Sequence, residues 1–151
     1  MAVTGHIFPQ FIQSLAAGHV NLSADTFKIG LSNVTGPITL ATSGVSTATT
    51  WSQWKTNVAA EITGTGYAAG GVAVASPTWA AGGANNSVST LASSTNPSWT
   101  SATITANQAV LYDSTTGYLV AFWDFGGAVS VTASTLTLAI NAAGLATVTT
   151  S

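Results

Sequence analysis

Only six of the 151 side chains carry a formal charge, Lys28 and Lys55 against Asp25, Glu61, Asp113 and Asp124, and arginine is absent. Globular domains ordinarily place charge on about a quarter of their residues, so the outer faces of this chain must be made polar by Ser, Thr, Asn and Gln. Such a surface generates little repulsion between copies, because a net charge well away from zero is what keeps proteins apart, and here it is -2. A chain of this kind tolerates close packing against neighbours. The same shortage removes the groups from which general acids, general bases, phosphate clamps and metal ligands are drawn. Composition therefore favours a structural or binding protein over an enzyme.

The length suits one domain, spanning 1–151, that buries about two-thirds of its unfolded-chain surface. With no cysteine there are no disulfides and no thiolate metal sites. Two lysines cannot form the basic cluster that neutralises phosphates, so nucleic acid is not an expected partner. The first segment lacks a positive n-region and an A-x-A-like site, and no secretory signal is expected. Residues 125–151 are free of charge and long enough to span a bilayer. Yet Val129, Val131, Leu136, Leu138 and Ile140 alternate with Ser130, Thr132, Thr135, Thr137 and Ala139, a period of two that predicts strand with one buried face, punctuated by turns at Gly126, Gly127 and Gly144. No membrane partner is expected.

Phe8, Phe11, Ile12 and Leu15 fall at helical spacing, with Pro9 suited to a first turn and Gly18 to a C-terminal stop, so a helix is predicted from Ile7 to Gly18 within an N-terminal segment 1–22. From Thr26 the period becomes two: Phe27, Ile29 and Leu31 on one side and Lys28, Gly30 and Ser32 on the other predict a half-buried strand. Residues 33–60 read as a long surface loop with at most a short strand near Ile38 and Leu40, pinned back by a helical turn at Trp51 and Trp54. The string Glu61-Ile-Thr-Gly-Thr-Gly-Tyr67-Ala-Ala-Gly-Gly71 carries four glycines of the kind that form turns and bulges. Residues 80–98, rich in Ala, Gly, Asn and Ser, read as a second long loop. Ala109–Asp113 is a buried strand, Ser114–Gly117 a turn, and Tyr118–Phe125 the returning strand of a hairpin. The expected fold is all-β, an antiparallel sandwich or flattened barrel with one short N-terminal helix.

No constellation marks a chemistry. Gly64-x-Gly66-x-x-x-Gly70 misses the dinucleotide spacing by one residue and has no Gly-Lys-Ser/Thr. His6 and His19 flank the predicted helix and cannot share a face as metal ligands. No serine sits in a Gly-x-Ser-x-Gly elbow, and four acids provide no evident glycosidase pair. Asp25, Asp113 and Asp124 are conceivable calcium ligands. Asp113, however, fits a turn-capping role, and Asp124 an outward position between inward aromatics. No catalytic residue, cofactor or metal is expected. Among the tryptophans, Trp99 and Trp123 belong to strands and to the core, while Trp51, Trp54 and Trp79 border loops. With Phe8 and Phe11 they are the candidate interface residues, or aromatic platforms for glycan. The sequons at Asn21, Asn33 and Asn85 are expected by chance in so Asn- and Ser-rich a chain.

The strings Glu61–Val72, Trp99–Ala106, Ala109-Val-Leu-Tyr-Asp113, Tyr118-Leu-Val-Ala-Phe-Trp-Asp-Phe-Gly126 and Ala143-Gly-Leu-Ala-Thr-Val-Thr149, together with the amphipathic opening and Asp25-Thr-Phe-Lys-Ile-Gly-Leu31, resemble a family of small tailed-bacteriophage virion proteins. The resemblance covers most of the chain and implies a virion structural role, that of a capsid-decoration protein, with the major capsid protein or another virion protein as partner and the virion as location after synthesis in the host cytoplasm. It departs from the family in charge, notably at Asn107-Gln108, where Arg-aromatic is usual. Low charge and loop-edge aromatics lead us to expect a homo-oligomer, with a trimer matching the local axes of an icosahedral shell. A tail or fibre adhesin that binds host glycan is the alternative.

Overall fold

A computed structural model describes residues 4–34, 38–82, 88–140 and 144–149. Its spine is the antiparallel hairpin of β7 (Ser98–Asp113) and β8 (Leu119–Thr137). The turn between them is made by chemistry local to it. Asp113 accepts hydrogen bonds from the Thr115 N–H at 2.7 Å, the Thr116 N–H at 3.2 Å and Thr116 Oγ1 at 2.8 Å, and a carboxylate folded back on the next residues stabilises such a turn. The expected turn at Ser114–Gly117 is observed.

β2 (Phe27–Asn33) lies along β7, from Phe27 opposite Asp113 to Ser32 opposite Gln108. β1 (Thr4–Ile7) takes the other side of β8, with Thr4 opposite Asp124. The two-residue strands β3 (Ala60–Glu61) and β4 (Val72–Ala73) share the outer edge of β2, completing a six-stranded sheet ordered β1-β8-β7-β2-β3 with β4 also on β2. A second antiparallel sheet places β6 (Val88–Ala92) between β5 (Thr78–Gly82) and β9 (Ala146–Thr149). The chain is thus an all-β, sandwich-like fold, with two short helices among the described residues, α1 (Phe11–Ala16) and α2 (Trp51–Asn57).

Both faces of the large sheet are covered over β2 and the inner halves of β7 and β8. On one, the Trp51 ring stacks on Tyr112 at 5.2 Å and lies over Gly30. A Cβ there would come within 2.6 Å of the indole. Trp54 meets Phe8 edge-on at 5.4 Å and Phe122 at 5.5 Å, and donates its Nε1–H to Ser32 Oγ at 3.2 Å. The start of α2 is fixed by a capping box, in which Thr50 and Gln53 bond each other's main chain. On the opposite face Ile29, Leu31, Ala109 and Leu111 are fully buried. Leu145, just before β9, faces Gly5, Ile7, Ala121 and Trp123, which belong to the same rows.

Several sequence expectations are corrected. The helix predicted over Ile7–Gly18 is cut to Phe11–Ala16, because Thr4–Ile7 pair with β8 and the Phe8 N–H extends that pairing to Val120 O at 3.1 Å. A run of a few residues at helical spacing is a weak signal beside a ladder of main-chain bonds. The predicted stop holds: Gly18 has φ +72°, its N–H bonds Leu15 O at 3.1 Å, and the His19 N–H bonds Ser14 O at 2.9 Å, a Schellman ending. β2 is buried on both faces, since α2 covers Gly30 and Ser32. Gly126 and Gly127 do not turn the chain; they lie in a bulge where Phe125–Ala128 face the single Asn107, between the pairs Ala106–Val129 and Gln108–Asp124. Within the predicted loop 80–98, the end of β5 and all of β6 pair, from Ala80 opposite Thr90 to Gly82 opposite Val88. Main-chain pairing needs no side-chain pattern, and the fully buried Leu91 anchors it. Residues 83–87 of that segment, with the Asn85 sequon, lie outside the described residues. No strand forms at Ile38 or Leu40; Ile38 is buried and Leu40 exposed.

Candidate functional site

The structure buries most of the residues expected to form an interface. Phe8, Phe11 and Trp54 are at most 1% exposed and Trp51 is 6% exposed within the single chain, so they are core and unavailable to a partner. Trp79 is half-buried, opposite Leu91 in the small sheet. The tryptophans assigned to strands divide. Trp99 is core, whereas Trp123 is only partly buried and borders open grooves. The spacing of Trp51 and Trp54 correctly indicates one helical face, but what that face meets depends on the small residues Gly30 and Ser32 across the sheet.

Each acidic side chain is engaged internally. Asp25 Oδ2 accepts from the Asn21 N–H at 2.6 Å. Asp124 Oδ1 accepts from the Gly126 N–H at 2.7 Å, holding the bulge, while its Oδ2 accepts from the Ile38 N–H and so ties in the loop before α2. Asp113 caps its turn. Burial pushes its carboxyl above the ordinary range, and contact with the Asp25 carboxyl adds to this, against the bonds from Thr115 and Thr116. Asp124 stands apart from that pair, opposite Gln108. Among the described residues no group of three or more His, Asp or Glu is placed to hold a metal ion. His6 packs on Phe122 at 5.1 Å and His19 stacks on Tyr118 at 4.8 Å.

Glu61 organises the glycine-rich string. It pairs with Lys55 of α2 at 3.1 Å, and its Oε1 accepts from the Tyr67 hydroxyl at 2.9 Å and from the Gly70 N–H. Tyr67 in turn accepts from the Leu31 N–H at 3.0 Å, and the Leu31 carbonyl accepts from the Ile62 N–H at 3.1 Å. Between the short strands β3 and β4, a phenol thus takes the place of a strand partner at the edge of β2. The Tyr112 hydroxyl donates to Gly70 O at 2.7 Å on the far side.

These two phenols set an expected alkaline limit. Burial raises both above an ordinary tyrosine, and the Glu61 charge adds to it; for Tyr67 the Leu31 bond acts in the opposite sense. Tyr112 is pushed up to about 12. A group with a raised folded pKa holds its proton longer in the fold, so stability is full below pH ~10 and falls as pH rises beyond it. Thermal unfolding between pH 8 and 11.5 should show a melting temperature dropping above pH ~10, with a shallower drop for Tyr67→Phe. A flat profile in the wild type contradicts this account.

Two open grooves among the described residues differ in kind. One groove, of about 520 Å³, is apolar: Trp99, Trp123, Phe125, Val129, Leu136 and Ile140 line it, with Leu145 opposite, and no charged residue contributes. The other, about 580 Å³ and shallower, runs between β3 and the outer halves of β7 and β8, and is lined by hydroxyls including Thr63, Thr103, Thr105, Ser130 and Thr132. Thr105 and Ser130 bond each other across the hairpin at 2.8 Å. Sequence reasoning missed the apolar groove, although the charge-free stretch that carries Val129, Leu136, Leu138 and Ile140 was its signal. No helix among the described residues is long and apolar enough to cross a membrane. Comparison with protein-family models, with curated proteins and with solved structures finds no match.

Proposed function

We propose that this chain is a structural protein of a tailed-bacteriophage virion, a decoration subunit attached to the head shell, made in the host cytoplasm and carried on the particle. The observation that carries this reading is the use of all four acids as internal ties, at Asn21, at Lys55 and Tyr67, at Thr115 and Thr116, and at Ile38 and Gly126. No acid is left free for general acid–base work, and apart from lysine and scattered amides the exposed side chains are mainly hydroxyl and small apolar groups suited to contact. The strings that resemble the virion family support it in the same way. Glu61–Gly71 mends the edge of β2, and Ala109–Asp113 with Tyr118–Phe125 form the central hairpin, so they specify a scaffold. The glycan-binding alternative rests on Trp51, Trp54 and Trp79 as platforms; the first two are buried and Trp79 is half-buried.

Attachment through such a surface is apolar and hydrogen-bonded. Exposed ion pairs contribute only about 0–1 kcal/mol each, and two lysines cannot form many. The test is electron microscopy and mass spectrometry of purified particles that carry the tagged chain, washed from low to molar salt. Density on the head shell that persists through the wash is the expected result. Absence from particles overturns the reading, density on the tail supports the adhesin, and release by moderate salt refutes the contact chemistry.

A further inference from the structure

We propose that the carboxyl groups of Asp25 and Asp113 share one proton and form a pH-controlled clamp, which fastens the connection between α1 and β2 to the β7–β8 turn while the proton is held and slackens when it is lost. The main chain beside the two residues is tightly joined. Ser114 donates both its N–H, at 2.8 Å, and its hydroxyl, at 2.9 Å, to the Thr26 carbonyl. The Thr26 N–H donates to Thr115 Oγ1 at 3.1 Å, and the Thr26 and Ser114 hydroxyls bond each other at 2.8 Å. These bonds carry the pairing of β2 with β7 beyond Phe27 and Asp113, so the carboxyls of Asp25 and Asp113 are held in contact.

Neither carboxyl is free to turn away. Asp113 is fully buried and accepts from the Thr115 and Thr116 N–H groups and from Thr116 Oγ1, while its own N–H donates to Tyr118 O at 2.8 Å. Asp25 is tied to Asn21 twice, by the Asn21 N–H on its Oδ2 at 2.6 Å and by its own N–H on Asn21 O at 2.9 Å. No cation offsets the pair. Among the described residues the one ion pair joins Lys55 to Glu61, and Lys28 lies opposite Tyr112 with its ammonium near Gly70. The remaining titratable groups of the two segments are Tyr112, whose hydroxyl donates to Gly70 O, and His19 and Tyr118, whose rings stack on each other. Two adjacent carboxylates without a cation cannot both ionise at low cost, and the proton they keep belongs to the pair.

Burial of Asp113, and after it the Asp25 carboxyl, push the Asp113 carboxyl above the ordinary range, against the bonds from Thr116 and Thr115. In the unfolded chain both residues lose their protons near pH ~4. The fold keeps one proton beyond that point, so proton binding stabilises it: the contribution is complete below pH ~4 and is lost as pH rises through the pair's higher folded value. A carboxylate held by hydrogen bonds alone acts in the opposite sense and loses its contribution in acid. Once both groups are charged, their repulsion falls on the bonds between Thr26 and Ser114–Thr115, the links nearest to the pair. The ladder from Phe27 onward is buried and holds, which confines the slackening to residues 17–26 and the turn. Asp25 is half-buried, so the proton exchanges with solvent without unfolding of the sheet.

The test is a carbon-detected NMR titration of the aspartate carboxyls in the full-length chain, with hydrogen exchange of the Thr26 and Ser114 N–H groups followed from pH ~4 to ~8. Asp25→Asn replaces the shared proton by a permanent amide donor and removes one charge. In the wild type the pair should release one proton above the ordinary aspartate range. Protection of the two N–H groups, corrected for intrinsic exchange, should fall about tenfold as that proton leaves, the change that accompanies one pH unit of displaced titration. In Asp25→Asn the protection should stay level over the same range. If the variant does not fold, the wild-type titration decides alone. Ordinary titration of both carboxyls, or an equal loss of protection in the two proteins, overturns the proposal. None of these outcomes alters the particle-labelling result, so the clamp and the virion reading fail separately.

Discussion

Trp54→Ala should destabilise the fold by about 3–5 kcal/mol, the range for removing a large buried aromatic. The indole is fully buried, edge-on to Phe8 and tilted on Phe122, and donates the one hydrogen bond that the Ser32 hydroxyl makes among the described residues. Its loss opens a cavity under α2 and leaves that hydroxyl without its partner, so both terms act in one direction. For a domain of this size the melting temperature should fall by about 10 °C or more. Ser52→Ala, on the exposed side of the same helix, should change stability by no more than about 0.5 kcal/mol. Chemical denaturation of the two variants separates a core residue from a contact residue: a Trp54→Ala protein as stable as the wild type would return Trp54 to the surface.

Gly71→Ala should be worse, with a cost above about 4 kcal/mol and little folded protein recovered. At φ +76°, a Cβ on residue 71 would stand 1.9 Å from the Ile29 carbonyl oxygen and 2.7 Å from the Gly30 Cα. These are main-chain atoms of a central strand and cannot move aside. Gly18→Ala supplies the comparison, since Gly18 has a similar φ of +72° with nothing within 4 Å of the added carbon. It should lose only the roughly 1–2 kcal/mol of a left-handed alanine. Similar losses in the two variants, measured by urea unfolding, would show that the clash at β2 is relieved by local movement.

The elements legible in the sequence are those whose cause is local. Period two identifies β2 and the β7–β8 hairpin, Asp113 closes its own turn, Gly18 ends α1, and the spacing of Trp51 and Trp54 marks one face of α2. What was not legible depends on residues far away in the chain. Thr4–Ile7 become strand only because Ala121–Asp124 offer an edge, and the end of β5 and all of β6 emerge from an Ala/Gly/Ser stretch whose pairing is carried by the main chain. The tryptophans were misassigned for the same reason. A large side chain at a loop border looks exposed unless its bed is known, and the bed is the small pair Gly30 and Ser32, which read as an outward face. The groove was hidden in turn because Trp123 looks like core until the short reach of β1 leaves its neighbours uncovered.

The order of strands in the large sheet also constrains how the chain acquires its shape during synthesis. β1 and β2 leave the ribosome early, yet their main ladders run to residues between Gln108 and Asp124. Closing contacts over such separations is slow, because the loop entropy is lost before the contacts form. The nascent chain therefore holds α1, β2 and α2, with Phe8, Phe11, Trp51 and Trp54, without the β7–β8 hairpin to lie on until residues 108–124 are translated. The β7–β8 hairpin, whose turn is encoded by neighbouring residues, is then the natural nucleus, and the earlier segments collapse onto it as it emerges.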